Sequence, residues 1–176
     1  MTKLPEQLLT EQQETDFRSV AERKPEASQP RARLALHCWR KGELAEALDW
    51  ADRCLELDPL NIDFYRLKAN ILADMQQTAK AVEIAMRARL AVPQSIPAHI
   101  LTVRMLVLDL QPAKAQQALD AALLLAPDSQ QLEHLKSLQL QILATSRQAN
   151  HDPLQWLTRK FNNRRANVAG EDSADS

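Results

Sequence analysis

From Arg40 the chain reads Arg40-Lys41-Gly42-Glu43-Leu44-Ala45-Glu46-Ala47-Leu48 and runs on to Leu55-Glu56-Leu57-Asp58-Pro59. Gly42 is one of only two glycines, the other being Gly170, and it separates two apolar-periodic runs. Downstream of it Leu44, Ala47, Leu48, Ala51, Cys54 and Leu55 return at helical spacing, and Pro59 ends the run. The stretch therefore reads as turn, amphipathic helix and stop. The same design then recurs. Pro59, Pro93 and Pro127 stand 34 residues apart, as do Ala47, Ala81 and Ala115, and Cys54, Ala88 and Ala122. A fixed period of this length is the mark of one supersecondary unit copied and stacked.

Counting from the prolines gives units 28–61, 62–95 and 96–129. Each splits into two helices: Pro30–Arg40 and Leu44–Leu57, then Asp63–Met75 and Thr78–Leu90, then Pro97–Asp109 and Pro112–Leu125. Asn61, Ser95 and Asp128 offer side-chain oxygens as caps, Asp128 with Gln131 reads as a capping box, and Pro97 and Pro112 suit first-turn positions. Upstream, 1–27 is expected to hold an N-terminal helix, capped by Thr10 with Gln13 and ending near Arg23, with Phe17, Val20 and Ala21 on one side. Lys24–Pro30 reads as a linker. Downstream, 130–148 is expected to carry one more helix, Gln130–Arg147, broken at Asn150-His151-Asp152-Pro153. The tail, 149–176, holds a short amphipathic segment, Leu154–Arg165, and an end expected to be disordered.

Composition narrows the class of function. Apolar residues make up 45%, charged residues 26% and aromatics 4%, so the core must be built from Ala and Leu. A net charge of −1 supplies no field for nucleic acid or anionic membrane. Phosphate-cradling loops need clustered glycines, which excludes Rossmann and P-loop enzymes. The four histidines show no short ligand spacing, and His37 and Cys38 point about 100° apart on a helix. Cys38 and Cys54 fall on helix-contact positions and read as small buried hydrophobes. No catalytic residue, metal site or cofactor is expected. The charged residues before Val20 exclude a secretory signal, no run is long enough for a membrane span, and a cytoplasmic setting is expected.

With its partner copies, the Arg40–Pro59 stretch resembles the tetratricopeptide repeat, which pairs antiparallel helices in 34-residue units. The likeness covers the three units and the helix after them. The family's large first-helix aromatic is Arg31, Tyr65 and His99 here, and its following small residue is Ala35, Ala69 and Val103. The resemblance implies an all-α, right-handed superhelical solenoid of three hairpins with a C-terminal capping helix. It also implies a concave groove lined by the first helix of each unit. Carried onto this sequence, that groove holds Leu36, Trp39 and Arg40, then Arg66, Asn70 and Asp74, then Ile100, Arg104 and Val107, with His134 and Leu138 on the last helix.

Tryptophan, arginines and aliphatics together have the make-up of a protein-binding hot spot. The expected partner is a peptide or helix of another protein, with apolar anchors beside acidic residues. Nucleic acid and membrane are not expected partners, and the N-terminal helix could join two copies. The carboxylate clamp of chaperone-binding members would fall on Ala32, Leu36, Leu67, Pro97 and Leu101, none of them charged. The expected function is a non-catalytic adaptor or chaperone. A structural subunit of a larger assembly is the alternative, and the plan is similar to bacterial type III secretion chaperones.

Overall fold

In a computed structural model the chain is a row of helices, described for residues 8–125 and 127–151, with the side chains of 148–151 left out. The helices are α1 (Glu11–Arg23), α2 (Ser28–Lys41), α3 (Leu44–Leu57), α4 (Ile62–Asp74), α5 (Thr78–Ala91), α6 (Ile96–Leu108), α7 (Pro112–Leu123) and α8 (Ser129–His151). First helices begin at Ser28, Ile62 and Ile96 and second helices at Leu44, Thr78 and Pro112, so both sets keep the 34-residue beat.

Local chemistry sets these ends. Thr10 and Gln13 form a reciprocal capping box on α1, and Asp128 and Gln131 form another at the start of α8. Asn61 accepts from the Asp63 amide and Ser95 from the Ala98 amide. Two expectations need correction. Ser28, Gln29 and Pro30 belong to the first turn of α2, where proline lacks only an orphan N–H, so the linker is shorter than expected. Helix α8 continues through Asn150 to His151, past the point where the break was expected, and Asp152 and Pro153 lie outside the described residues.

Each hairpin turns through one left-handed residue: Gly42 at φ 82°, Gln76 at φ 59° and Leu110 at φ 54°. The bonding is the same in all three. Gly42, Gln76 and Leu110 donate to carbonyls three residues back, and Glu43, Gln77 and Gln111 donate to carbonyls five back, at 2.9 Å. This is the Schellman geometry, which favours glycine because any Cβ strains the backbone there. Only the first turn uses one.

The small residues lie where the two helices of a hairpin meet. Ala47, Ala81 and Ala115, Cys54, Ala88 and Ala122, and Ala35, Ala69 and Val103 are all buried. Around them Leu34, Ile71, Met105, Leu119 and Leu135 fill the core. Within the described residues α2 touches α4, α4 touches α6 and α6 touches α8, whereas α3, α5 and α7 make no such approach to one another. The first helices therefore form a continuous inner layer and the second helices spread on the outside, the curvature of a solenoid.

The position held by Arg31, Tyr65 and His99 has a polar job. The Tyr65 hydroxyl donates to the Pro59 carbonyl at 3.1 Å, and His99 Nε2 meets the Pro93 carbonyl at 3.0 Å. Arg31 makes the equivalent contact at the N-terminal end, donating to the carbonyls of Ala21, Lys24 and Ala27. All three side chains are buried, and each ties a first helix to the loop that precedes it.

Candidate partner-binding groove

The groove candidates sit on the inner layer. Leu36 and Trp39 are half-buried and rest on the N-terminal core, while Arg40 is exposed. On α4, Arg66 and Asp74 are exposed and Asn70 is half-buried, the three making one stripe at four-residue spacing. On α6, Ile100, Arg104 and Val107 are half-buried, and on α8 His134 is exposed. Leu138 departs from expectation. It is 2% exposed and packs in the core with Leu135 and Ile142, so it is withdrawn from the groove. Among the described residues no helix follows α8, which turns one stripe against α6 and α7.

Two hydrogen bonds step from one first helix to the next along this face. The Trp39 indole donates to Asp74 at 2.6 Å, and the Arg104 guanidinium donates to the Asn70 side-chain carbonyl at 2.5 Å. Arg66 pairs with Asp63 on its own helix at 2.7 Å. Burial, with the neighbouring charge of Arg66, holds the Arg104 pKa below the ordinary arginine value. Its environment thus offers neutral Asn70 and a like charge, and its hydrogen-bond partner is no carboxylate.

Clamp chemistry is not built here. Ala32, Leu67 and Leu101 are buried, and Pro97 lies in the first turn of α6. Thiol chemistry is suppressed as well, since burial pushes both Cys38 and Cys54 up to about 12. Cys38, Glu43 and Glu46 converge closely enough to hold a cation. Glu43 is already paired with Lys41 at 2.9 Å and Glu46 with Arg18 at 2.7 Å, and the protonated Cys38 thiol is a poor ligand.

Sequence reasoning missed the lock on the N-terminal helix. Arg18 bridges Glu14 and Glu46 at 2.9 and 2.7 Å, fastening α1 to α3. His37 accepts the Leu9 amide at Nδ1, which places its proton on Nε2, facing Glu14 at 2.9 Å. Ala21 is buried against α2, Phe17 is half-buried under the Arg33 guanidinium, and Val20 is exposed. The apolar side of α1 thus closes the end of its own array. The amphipathic segment Leu154–Arg165 lies outside the described residues. No described helix is long and apolar enough to cross a membrane.

No protein-family model matches this sequence, and no curated protein matches it either. Solved structures do. The chain is similar to a MamA RS-1 double mutant, with 18% identity over 79% of this chain and 86% of that one, at a TM-score of 0.56. It is similar to the Yersinia enterocolitica type III secretion chaperone SycD, solved with a peptide of the translocator YopD, with 15% identity, 68% and 92% coverage and a TM-score of 0.57. The TPR2B domain of yeast Sti1, solved as a complex with pHsp70, matches with 15% identity, 76% and 98% coverage and a TM-score of 0.53. Helix order, hairpin geometry and these likenesses agree on the fold, an all-α tetratricopeptide-type solenoid.

Proposed function

We propose, from a tetratricopeptide-type solenoid whose inner layer carries aliphatic and guanidinium groups, that this protein is a non-catalytic adaptor or chaperone. It would hold a peptide or helix of a partner against α2, α4 and α6. One observation carries the reading: the inner face is continuous across repeats, with Trp39–Asp74 and Asn70–Arg104 bonded from helix to helix. Such a surface is pre-organised, and pre-organisation lowers the ordering cost of binding. The SycD structure with its translocator peptide and the Sti1 complex with pHsp70 support this use of the fold. Buried, unreactive cysteines suit a reducing compartment such as the cytoplasm.

The test is a photo-crosslinker placed at Val107, with the captured partner identified and then titrated. Trp39→Ala plus Arg104→Ala should weaken that partner strongly. A partner retained equally by both proteins would overturn the groove model.

A second reading, a structural subunit, is favoured by a separate observation. Leu57, Leu60, Leu90, Leu123 and Leu124 are exposed at the ends of the second helices and in the turn after α3, with Leu124 86% exposed. If assembly is the function, Leu90→Glu with Leu124→Glu would abolish association while the groove variant would not. Self-association through α1 would have to use its Val20 side, and sizing with and without residues 1–27 tests it.

A further inference from the structure

Among the described residues the inner face carries side-chain hydrogen-bond donors only partly matched by acceptors. Arg104 uses one guanidinium nitrogen on the Asn70 carbonyl oxygen. Among the described residues its other donors have no partner, and neither does the Asn70 amide NH2. The site is half-buried, so water satisfies these donors less completely than at an open surface. The charged group acting on Arg104 is Arg66, which adds positive potential. One turn to either side along α6 stand Ile100 and Val107, both half-buried aliphatics. The other acid on the face, Asp74, is engaged by the Trp39 indole.

We propose that Arg104 and Asn70 form the seat for a side-chain carboxylate, an Asp or Glu within the bound partner segment, and that Ile100 and Val107 receive the aliphatic residues flanking it. The inference rests on the groove reading above and sharpens it by naming the chemistry of the occupant. A planar guanidinium and an adjacent amide can each give an N–H to one carboxylate, the charge-assisted geometry that Arg supports best. An incoming carboxylate would also offset the repulsion between Arg104 and Arg66. A lysine or arginine from a partner would meet the N–H groups of Arg104 and Asn70 beside the Arg104 charge, which disfavours basic segments. The seat has one half-buried guanidinium and no converging second cation from the family's clamp positions, so it suits an internal acidic side chain and not a chain terminus.

The experiment pans a displayed library of random 12-residue peptides against the full chain, then titrates selected peptides as C-terminal amides and as free acids. Selected peptides are expected to share an Asp or Glu beside Leu, Ile or Val. Replacing that acid by its amide should weaken binding about tenfold in the natural protein. In Arg104→Gln the acid and amide peptides should bind alike, and Arg104→Glu should turn the preference toward Lys. Amidated and free-acid termini should bind equally. Peptides that depend on Trp39 but show no acid preference, or an acid effect unchanged in Arg104→Gln, would overturn the seat and leave the groove standing. A marked preference for the free acid would also overturn it, moving the contact to the terminus. A panning that yields no peptide sensitive to Trp39→Ala or Val107→Asp would overturn the groove itself. Circular dichroism melts of each variant separate loss of the seat from loss of fold.

Discussion

The Tyr65 hydroxyl donates to the carbonyl of Pro59, six residues back, and 34 residues further on His99 Nε2 reaches the carbonyl of Pro93 in the same way. The two differ in one respect. The His99 ring leaves its Nδ1 buried without a partner among the described residues, whereas the tyrosine ring has no second polar atom. His99→Tyr should therefore keep the tie and remove a desolvated acceptor, raising stability by about 1 kcal/mol. Tyr65→Phe, which breaks the tie and strands a carbonyl, should lower it by a similar amount. Urea midpoints of both variants check the pair.

The hairpin turns offer a second comparison. Gln76 and Leu110 adopt left-handed backbone that costs a non-glycine residue roughly 1 kcal/mol. Gln76→Gly and Leu110→Gly should each stabilise the fold by about 0.5–1 kcal/mol, against the usual trend for glycine. A Cβ at Gly42 would meet nothing within 4 Å, so Gly42→Ala should cost only the backbone strain, about 1 kcal/mol. Thermal melts giving a loss on Gln76→Gly would contradict the turn geometry.

Packing predicts an asymmetry on α5. Ala81 is 1% exposed at the hairpin contact, whereas Ala79 is exposed. Ala81→Leu should overpack the site at about 1–3 kcal/mol, and Ala79→Leu should fall within about 0.5 kcal/mol of the natural protein. Equal melting shifts would remove the register assigned to this repeat.

Acid should release the N-terminal helix before the rest. The Arg18 hydrogen bond holds the Glu14 carboxyl below its ordinary value, burial opposes it, and His37 and Lys41 reinforce the lowering; Arg18 does the same for Glu46, helped by Trp50. Both groups titrate lower in the folded chain than unfolded. Their contribution is complete above the unfolded value, about 4.3, and is lost as pH falls through the lower folded values. Amide exchange in α1 should accelerate below about pH 4, and Arg18→Met should show fast exchange already at about pH 6.

These features differ in how far the sequence reveals them. Caps at Thr10, Asn61, Ser95 and Asp128 were legible because each bonds within three residues, where spacing alone carries the chemistry. The hairpins were legible because stacking repeats the same contact every 34 residues. Leu138 was misread for the same reason. It shares a repeat position with Asn70 and Arg104, but α8 turns the stripe of Leu135, Leu138 and Ile142 inward. The Glu14–His37 and Arg18–Glu46 contacts join α1 to the repeats without any periodic partner, and no local pattern announces them. The aromatic substitutes Arg31, Tyr65 and His99 became intelligible only when their tips were seen to reach backbone carbonyls.

The spread second helices have a mechanical consequence. With α3, α5 and α7 out of mutual reach, resistance to bending is concentrated in the inner layer, and the outer side supplies clearance. Two side-chain hydrogen bonds, Trp39 to Asp74 and Arg104 to Asn70, cross between first helices on this inner side, and no such contact joins the second helices among the described residues. A cargo that grips the inner side would set the arc of the whole row. If the proposed groove is filled, the expected outcome is a change in the spacing of α3 and α7, measurable by distance labels on the two helices.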